Sequence, residues 1–136
     1  MSQENVEQEN VRVVRRVYDA YLSGNFEAAL AMIDPEVEWD GSIRPEGRVY
    51  RGHDGVVEAL RTWTGTWEAF RLEVEEIIDA GDHVIVVEQQ SGRGKGSGLP
   101  LRQQNFSVFT LRDGRITRVV FARNRDDALK AAGLSE

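Results

Sequence analysis

Any reaction this chain performs has to run on carboxylates, guanidinium groups, hydroxyls and amides. Its 136 residues include no cysteine and only two histidines, His53 and His83. Thiolate catalysis, disulfides and zinc-finger chemistry are thereby excluded. The two histidines are not at metal-ligand spacing, and no metal site is expected. Gly92-Arg93-Gly94-Lys95-Gly96-Ser97-Gly98 alternates glycines but lacks the Lys-Ser/Thr ending and following helix of a phosphate-binding loop, and reads as a turn. What remains is a scatter of acids and arginines, Asp40, Glu88 and Arg123 among them, together with the aromatic residues Tyr18, Tyr21, Trp63 and Trp67. At helical spacing, such aromatics are more often core than ligand cage.

The elements that must position these groups belong to one domain spanning residues 1–136. Hydrophobic residues make up 40% and charged residues 29%, the balance of a globular chain with a single core. The net charge of −6 argues against a phosphate-tracking surface, and the basic residues alternate with acids without forming a run, so no nucleic-acid partner is expected. No apolar run approaches the ~20 residues of a membrane span. The polar, acidic start Met1-Ser2-Gln3-Glu4-Asn5 lacks the basic and apolar regions of a signal peptide, and a cytoplasmic location is expected.

Helical spacing of Val11, Val14, Tyr18 and Tyr21 predicts a helix over about 5–23, ended by Gly24. A short helix follows over 26–33, closed by Asp34-Pro35. Residues 37–41 read as a strand, 42–51 as an irregular loop, and Val56, Val57, Leu60, Trp63 and Trp67 as the stripe of a third helix. From Arg71 the period changes to two. Strands are expected from about 71, over 83–91, 101–111 and 115–123, with turns at Ala80-Gly81-Asp82 and Asp113-Gly114. A short Ala-rich helical segment over 126–132 ends the chain. Consecutive hairpins make an antiparallel sheet, and the amphipathic helices need one of its faces to bury their stripes.

This order and several local strings resemble the nuclear transport factor 2-like superfamily, and within it the SnoaL-like (polyketide-cyclase-like) group. The strings are Tyr18-x-x-Tyr21-x-x-Gly24-Asn25-Phe26-Glu27-Ala28-Ala29, Asp34-Pro35-Glu36-Val37-Glu38-Trp39-Asp40, Tyr50-Arg51-Gly52-His53-Asp54-Gly55-Val56, Leu111-Arg112-Asp113-Gly114-Arg115-Ile116 and Ala128-Leu129-Lys130-Ala131-Ala132-Gly133-Leu134. The resemblance implies an α+β, cone-shaped, cystatin-like fold: a strongly curved antiparallel sheet wrapped by three helices from the N-terminal half, with a cavity between. It says little about function, because this scaffold hosts isomerases, cyclases, hydrolases, dehydratases and non-catalytic binders. Ketosteroid isomerases of the superfamily use an Asp base, a Tyr and a protonated Asp. Those positions fall here on Asp40, Val17 and near Ser107, so only the base matches, with Tyr21 or Tyr18 as substitute donors. Where epoxide-hydrolase relatives need Arg-x-Asp, this chain has Glu88-Gln89-Gln90.

The resemblance also implies which strand faces point inward. It places Val84, Val86, Glu88 and Gln90, then Gln103, Asn105, Ser107 and Phe109, then Val119, Phe121 and Arg123 toward the pocket, with Tyr21 and Trp63 from the helices. Asp40 is the expected general base, its pKa raised by partial burial, and Arg123 the expected oxyanion or carboxylate partner. Each has a plainer alternative: Asp40 and Arg123 as a structural ion pair, Glu88 paired to an arginine, and Gln103, Asn105 and Ser107 satisfying one another. Phe106 and Val108 fall on the outer face and suggest a sheet-to-sheet homodimer.

The expected function is cofactor-independent isomerase, cyclase or hydrolase chemistry on an apolar carbonyl-containing or cyclic molecule. The alternatives are a non-catalytic binder of a hydrophobic metabolite and a dimeric interaction domain with an incidental cavity.

Overall fold

The computed structural model describes residues 3–43 and 47–133, with side chains from residue 9 onward. Along these residues the order is α1 (Gln3–Leu22), α2 (Phe26–Ala31), β1 (Ile33–Gly41), β2 (Arg48–Arg51), α3 (Gly52–Gly65), β3 (Trp67–Ala80), β4 (His83–Gly94), β5 (Pro100–Arg112), β6 (Arg115–Ala122) and α4 (Arg125–Ala131). Leu134 of the terminal string, and positions 44–46 of the expected loop, lie outside the described residues.

Local chemistry sets the boundaries. After α1 the chain reverses through Gly24 at φ +83°, and the Asn25 side chain then caps α2 by accepting from the Ala28 amide at 3.2 Å. The β3–β4 hairpin turns on Gly81, and the β5–β6 hairpin on Asp113 and Gly114, both at positive φ as a type I′ turn requires. Asn124 caps α4 by accepting from the Asp127 amide at 2.8 Å, with Asp126 and Asp127 in the first turn, where acids suit the helix dipole.

The six strands form one curved, unclosed sheet in the order β2-β1-β6-β5-β4-β3. The hairpins β3–β4, β4–β5 and β5–β6 are antiparallel, whereas β1 runs parallel to β6, so the sheet is mixed. This pairing joins the first strand to the last, and its register shifts between Ile33 and Glu38. Part of the expected loop forms the short edge strand β2, with Trp39 opposite Tyr50. Trp67, expected on the third helix, instead opens β3, which carries register shifts between Glu68 and Arg71 and between Val74 and Glu76. Such bulges bend a strand.

Two apolar clusters hold the layers together. On the concave face, Val13, Val14, Val17 and Tyr18 of α1 and Val56 of α3 pack against Val37, Val84, Val86, Val119 and Phe121. On the convex face, Ile85, Val87, Phe106 and Val108 pack against Ala128 and Ala132. The second cluster corrects an expectation. Phe106 and Val108 do point outward, but they are only 6% and 2% exposed because the C-terminal helix folds back over them. The two residues expected to be exposed for a homodimer are thus covered by the chain's own α4. No helix of the described residues is long and apolar enough to cross a membrane.

Candidate functional site

Between the helices and the concave face lies a cavity of about 100 Å³. For scale, an apolar void of about 150 Å³ accepts benzene. Its walls are mostly apolar: Val17 and Tyr21 from α1, Phe26 and Leu30 from α2, Leu60 and Trp63 from α3, and Trp39, Phe109 and Phe121 from the sheet. Edge-to-face contacts stiffen this shell, Tyr18 on Phe109 at 5.8 Å and Trp39 on Phe121 at 5.4 Å between ring centroids.

The polar part of the wall is one connected network. Glu88, on the concave side of β4, is 4% exposed. Tyr18 donates its hydroxyl to Glu88 Oε2, and Oε1 accepts from Asn105 Nδ2 at 2.9 Å and Gln90 Nε2 at 3.0 Å. Asn105 Nδ2 also reaches Ser107 Oγ at 3.1 Å. Gln90 Oε1 in turn accepts from Trp63 Nε1 and Gln103 Nε2, each at 3.2 Å. Strand register explains the assembly: Glu88 faces Asn105 and Gln90 faces Gln103 across β4 and β5, so period-two alternation puts these side chains on one face. Burial first, then the nearby Glu88 charge, pushes the Tyr18 hydroxyl pKa well above its ordinary value, and the same two causes raise that of Tyr21. Both shifts favour the neutral phenol, and Tyr18 donates its proton to Glu88.

Of the residues singled out from sequence, Val17, Tyr18, Tyr21, Trp63, Glu88, Gln90, Ser107, Phe109 and Phe121 line the cavity. Val86 is fully buried in the packed core beside it. Asn105 belongs to the network and lines a second, outer hollow, which Arg123 also lines. Arg123 lies just past the end of β6 and is exposed.

Asp40 is not brought to the cavity. On β1, Val37, Trp39 and Gly41 share one parity, and the cavity wall takes Trp39 and Gly41; Asp40 and Glu38 have the other. Asp40 lies 3.7 Å from the Arg118 guanidinium rather than near Arg123, and its Oδ1 accepts from the Ser42 amide at 3.0 Å. Hydrogen bonding from Ser42, aided by the Arg118 charge, outweighs partial burial and holds the Asp40 carboxyl below its usual range. The shift is opposite to the one expected of a base.

Reasoning from sequence missed Trp39, Tyr50 and Phe70 as wall residues. Trp39 had a signal, since apolar and acidic residues alternate from Glu36 to Gly41; Tyr50 sat in a segment read as loop. The Tyr50 hydroxyl is buried with no hydrogen-bond partner among the described residues. No cluster of metal-ligating side chains occurs among the described residues.

Comparison with known proteins agrees with this architecture. The family model of the SnoaL-like domain matches residues 14–119. An NTF2-like protein from Burkholderia thailandensis superposes with a TM-score of 0.77 at 24% identity, over 93% of this chain and 97% of that one. A Jannaschia protein assigned as a SnoaL-like polyketide cyclase gives 0.74 at 18% identity, over 96% and 95%. TerC, co-crystallised with polyporic acid, gives 0.71 at 23% identity, over 92% and 98%. At these identities the three structures speak to fold alone. No curated protein matches the chain by sequence. Three-quarters of the sequence fits one family model, and the sheet and helices fit the corresponding fold, so the chain belongs to the SnoaL-like family of the nuclear transport factor 2-like superfamily.

Proposed function

We propose that this chain binds a small, largely apolar carbonyl compound in its inner cavity and moves a proton on it, as an isomerase or cyclase does, with Glu88 as the proton acceptor. One observation carries the reading: a buried carboxylate set in an otherwise apolar wall and oriented by Tyr18, Gln90 and Asn105. A pocket with mostly apolar walls and a few convergent polar groups is the usual makeup of a small-molecule site. A base whose position is fixed by neighbours meets the geometric demand of proton abstraction. Tyr18, its one hydroxyl proton donated to Glu88, holds the carboxylate in position. The Jannaschia cyclase assignment and the co-crystallisation of TerC with polyporic acid support a small-molecule role for this fold.

The test is hydrogen–deuterium exchange at the carbon next to the carbonyl of cyclohexanone in deuterium oxide, followed by NMR. The chain should accelerate exchange above buffer, Glu88→Gln should cut the acceleration by about 10²- to 10⁴-fold, and Asp40→Asn should leave it unchanged. No acceleration, or its loss in Asp40→Asn, would overturn the assignment. A second reading is a non-catalytic binder, favoured by the number of donors already engaging the Glu88 carboxylate. It predicts saturable binding of the ring without exchange.

A further inference from the structure

The outer hollow, of about 240 Å³, is bounded by Ile43, Trp63, Gln103, Gln104, Asn105, Ala122 and Arg123. It shares Trp63 with the inner cavity. The remaining partition is thin. Gln90, which lines the inner cavity, and Gln103, which lines the outer hollow, are joined by a 3.2 Å hydrogen bond; Glu88 and Asn105, on the same sheet face, are joined at 2.9 Å. Neither space alone reaches the ~300 Å³ at which ligand pockets begin, whereas the two joined would.

The two rooms differ in chemistry. The inner one is walled by aromatic and aliphatic side chains. The outer one carries amides and one cation, Arg123, and no acidic side chain among the described residues lines it. Several nearby charges have partners of their own: Arg125 pairs with Glu76 at 2.7 Å, Glu75 accepts from Gln104 Nε2 at 3.1 Å, and the Asp127 carboxylate accepts from Asn124 Nδ2 at 3.3 Å. Arg123 makes no ion pair or hydrogen bond with a described residue. In a protein of net charge −6, a guanidinium fork standing over an open hollow suits an anion, above all a carboxylate held by two parallel N–H donors.

We infer that the ligand is an amphiphilic acid: its carboxylate sits against Arg123 in the outer hollow, and its apolar part passes the Trp63 indole into the inner cavity. The inference rests on the inner cavity being a ligand site, and it names the substrate class. Trp63 is then the partition that must turn aside to admit the chain of such a molecule, giving up its hydrogen bond to Gln90. Its position near the C-terminal end of α3, two residues before Gly65, suits that movement.

The experiment is calorimetric titration of the full chain with phenylbutyrate and with the uncharged phenylbutanol, at low and at physiological salt. The acid should bind about three- to fivefold more tightly than the alcohol at low salt, the scale of a partly exposed ion pair. Salt should narrow the gap. Arg123→Gln should weaken the acid to the level of the alcohol and leave the alcohol unchanged. Ligand should alter tryptophan fluorescence in the native chain, and Trp63→Phe should remove most of that change. Equal affinities for acid and alcohol, or Arg123→Gln weakening both alike, would overturn the subsite. If cyclohexanone binds but neither phenyl compound does, the subsite falls and the inner cavity stands. If no ring compound binds at all, both fall.

Discussion

Tyr18 on the first helix donates its hydroxyl to Glu88 on β4, seventy residues further along the chain. This bond ties the helical layer to the concave sheet at the point where the cavity wall turns polar. Hydrogen bonds to charged groups contribute about 1.5–3 kcal/mol, so Tyr18→Phe should lower unfolding stability by an amount in that range. A double-mutant cycle with Glu88→Gln, read by urea denaturation, should return a coupling of about 0.5–3 kcal/mol. Additive losses would mean that the two side chains do not act as a pair.

The same tyrosine sets an alkaline limit. Its folded-state pKa is raised above the ordinary value of 10.0, so the folded chain holds this proton more tightly than the unfolded chain does. The associated stability is fully present below pH 10.0 and is lost as pH rises through the folded-state value. Phenolate ultraviolet absorbance should therefore show Tyr18 ionising only together with loss of tertiary circular dichroism. Tyr18→Phe should flatten the alkaline limb of the stability curve.

Asp40 has the opposite sign. Its folded-state pKa is lowered, first by hydrogen bonding from Ser42, so its contribution is present above the unfolded-state value and fades as pH falls through the folded one. Asp40→Asn should flatten the acid limb of denaturation. The pair with Arg118 is partly exposed, so the loss at neutral pH should stay within about 1 kcal/mol. Binding of small ring ketones should not change.

Tyr50 offers a substitution that should raise stability. Its hydroxyl is buried without a partner among the described residues. An unsatisfied buried polar group costs about 1–3 kcal/mol, and Tyr50→Phe removes it while keeping the ring. Chemical denaturation should show a gain of about 1 kcal/mol. A loss of similar size would reveal a partner for that hydroxyl in solution.

Ala128 is fully buried over Phe106 and Val108. Ala128→Glu forces a carboxylate into that contact, so α4 should lift from the sheet rather than bury the charge. The uncovered Ile85, Val87, Phe106 and Val108 should then drive self-association, seen in light scattering against the native chain. A variant that stays as small as the parent would argue against α4 as the cover.

How far sequence foretells this architecture differs from strand to strand. The faces of β4 and β5 are legible because the resemblance implies which side points inward, and the strand period of two carries that choice from Val84 to Gln90 and from Gln103 to Phe109. Glu88 accordingly lines the cavity, and in place of the arginine weighed as its alternative partner it has Tyr18, Gln90 and Asn105. β1 is different. Its acids Glu36, Glu38 and Asp40 share one parity and Val37, Trp39 and Gly41 the other, which on burial alone turns Trp39 inward. The resemblance, weighted toward an Asp base, pointed the other way. The cover over Phe106 and Val108 could not be read, because two alanines four residues apart carry little hydrophobic signal and their target is settled only by tertiary packing. The parallel seating of β1 beside β6 escaped for a similar reason: nothing local in residues 33–41 records a partner some eighty positions away.

That seating has a consequence for the chain as it emerges from the ribosome. β1 has only the four-residue β2 beside it until β6 is synthesised, so one side of the cavity wall lacks its neighbour until residue 122 has emerged. Contacts of such long sequence separation form slowly. A prematurely terminated chain ending at β5 leaves Trp39 without Phe121 and one edge of β1 unpaired, and unpaired strand edges with exposed apolar surface favour aggregation.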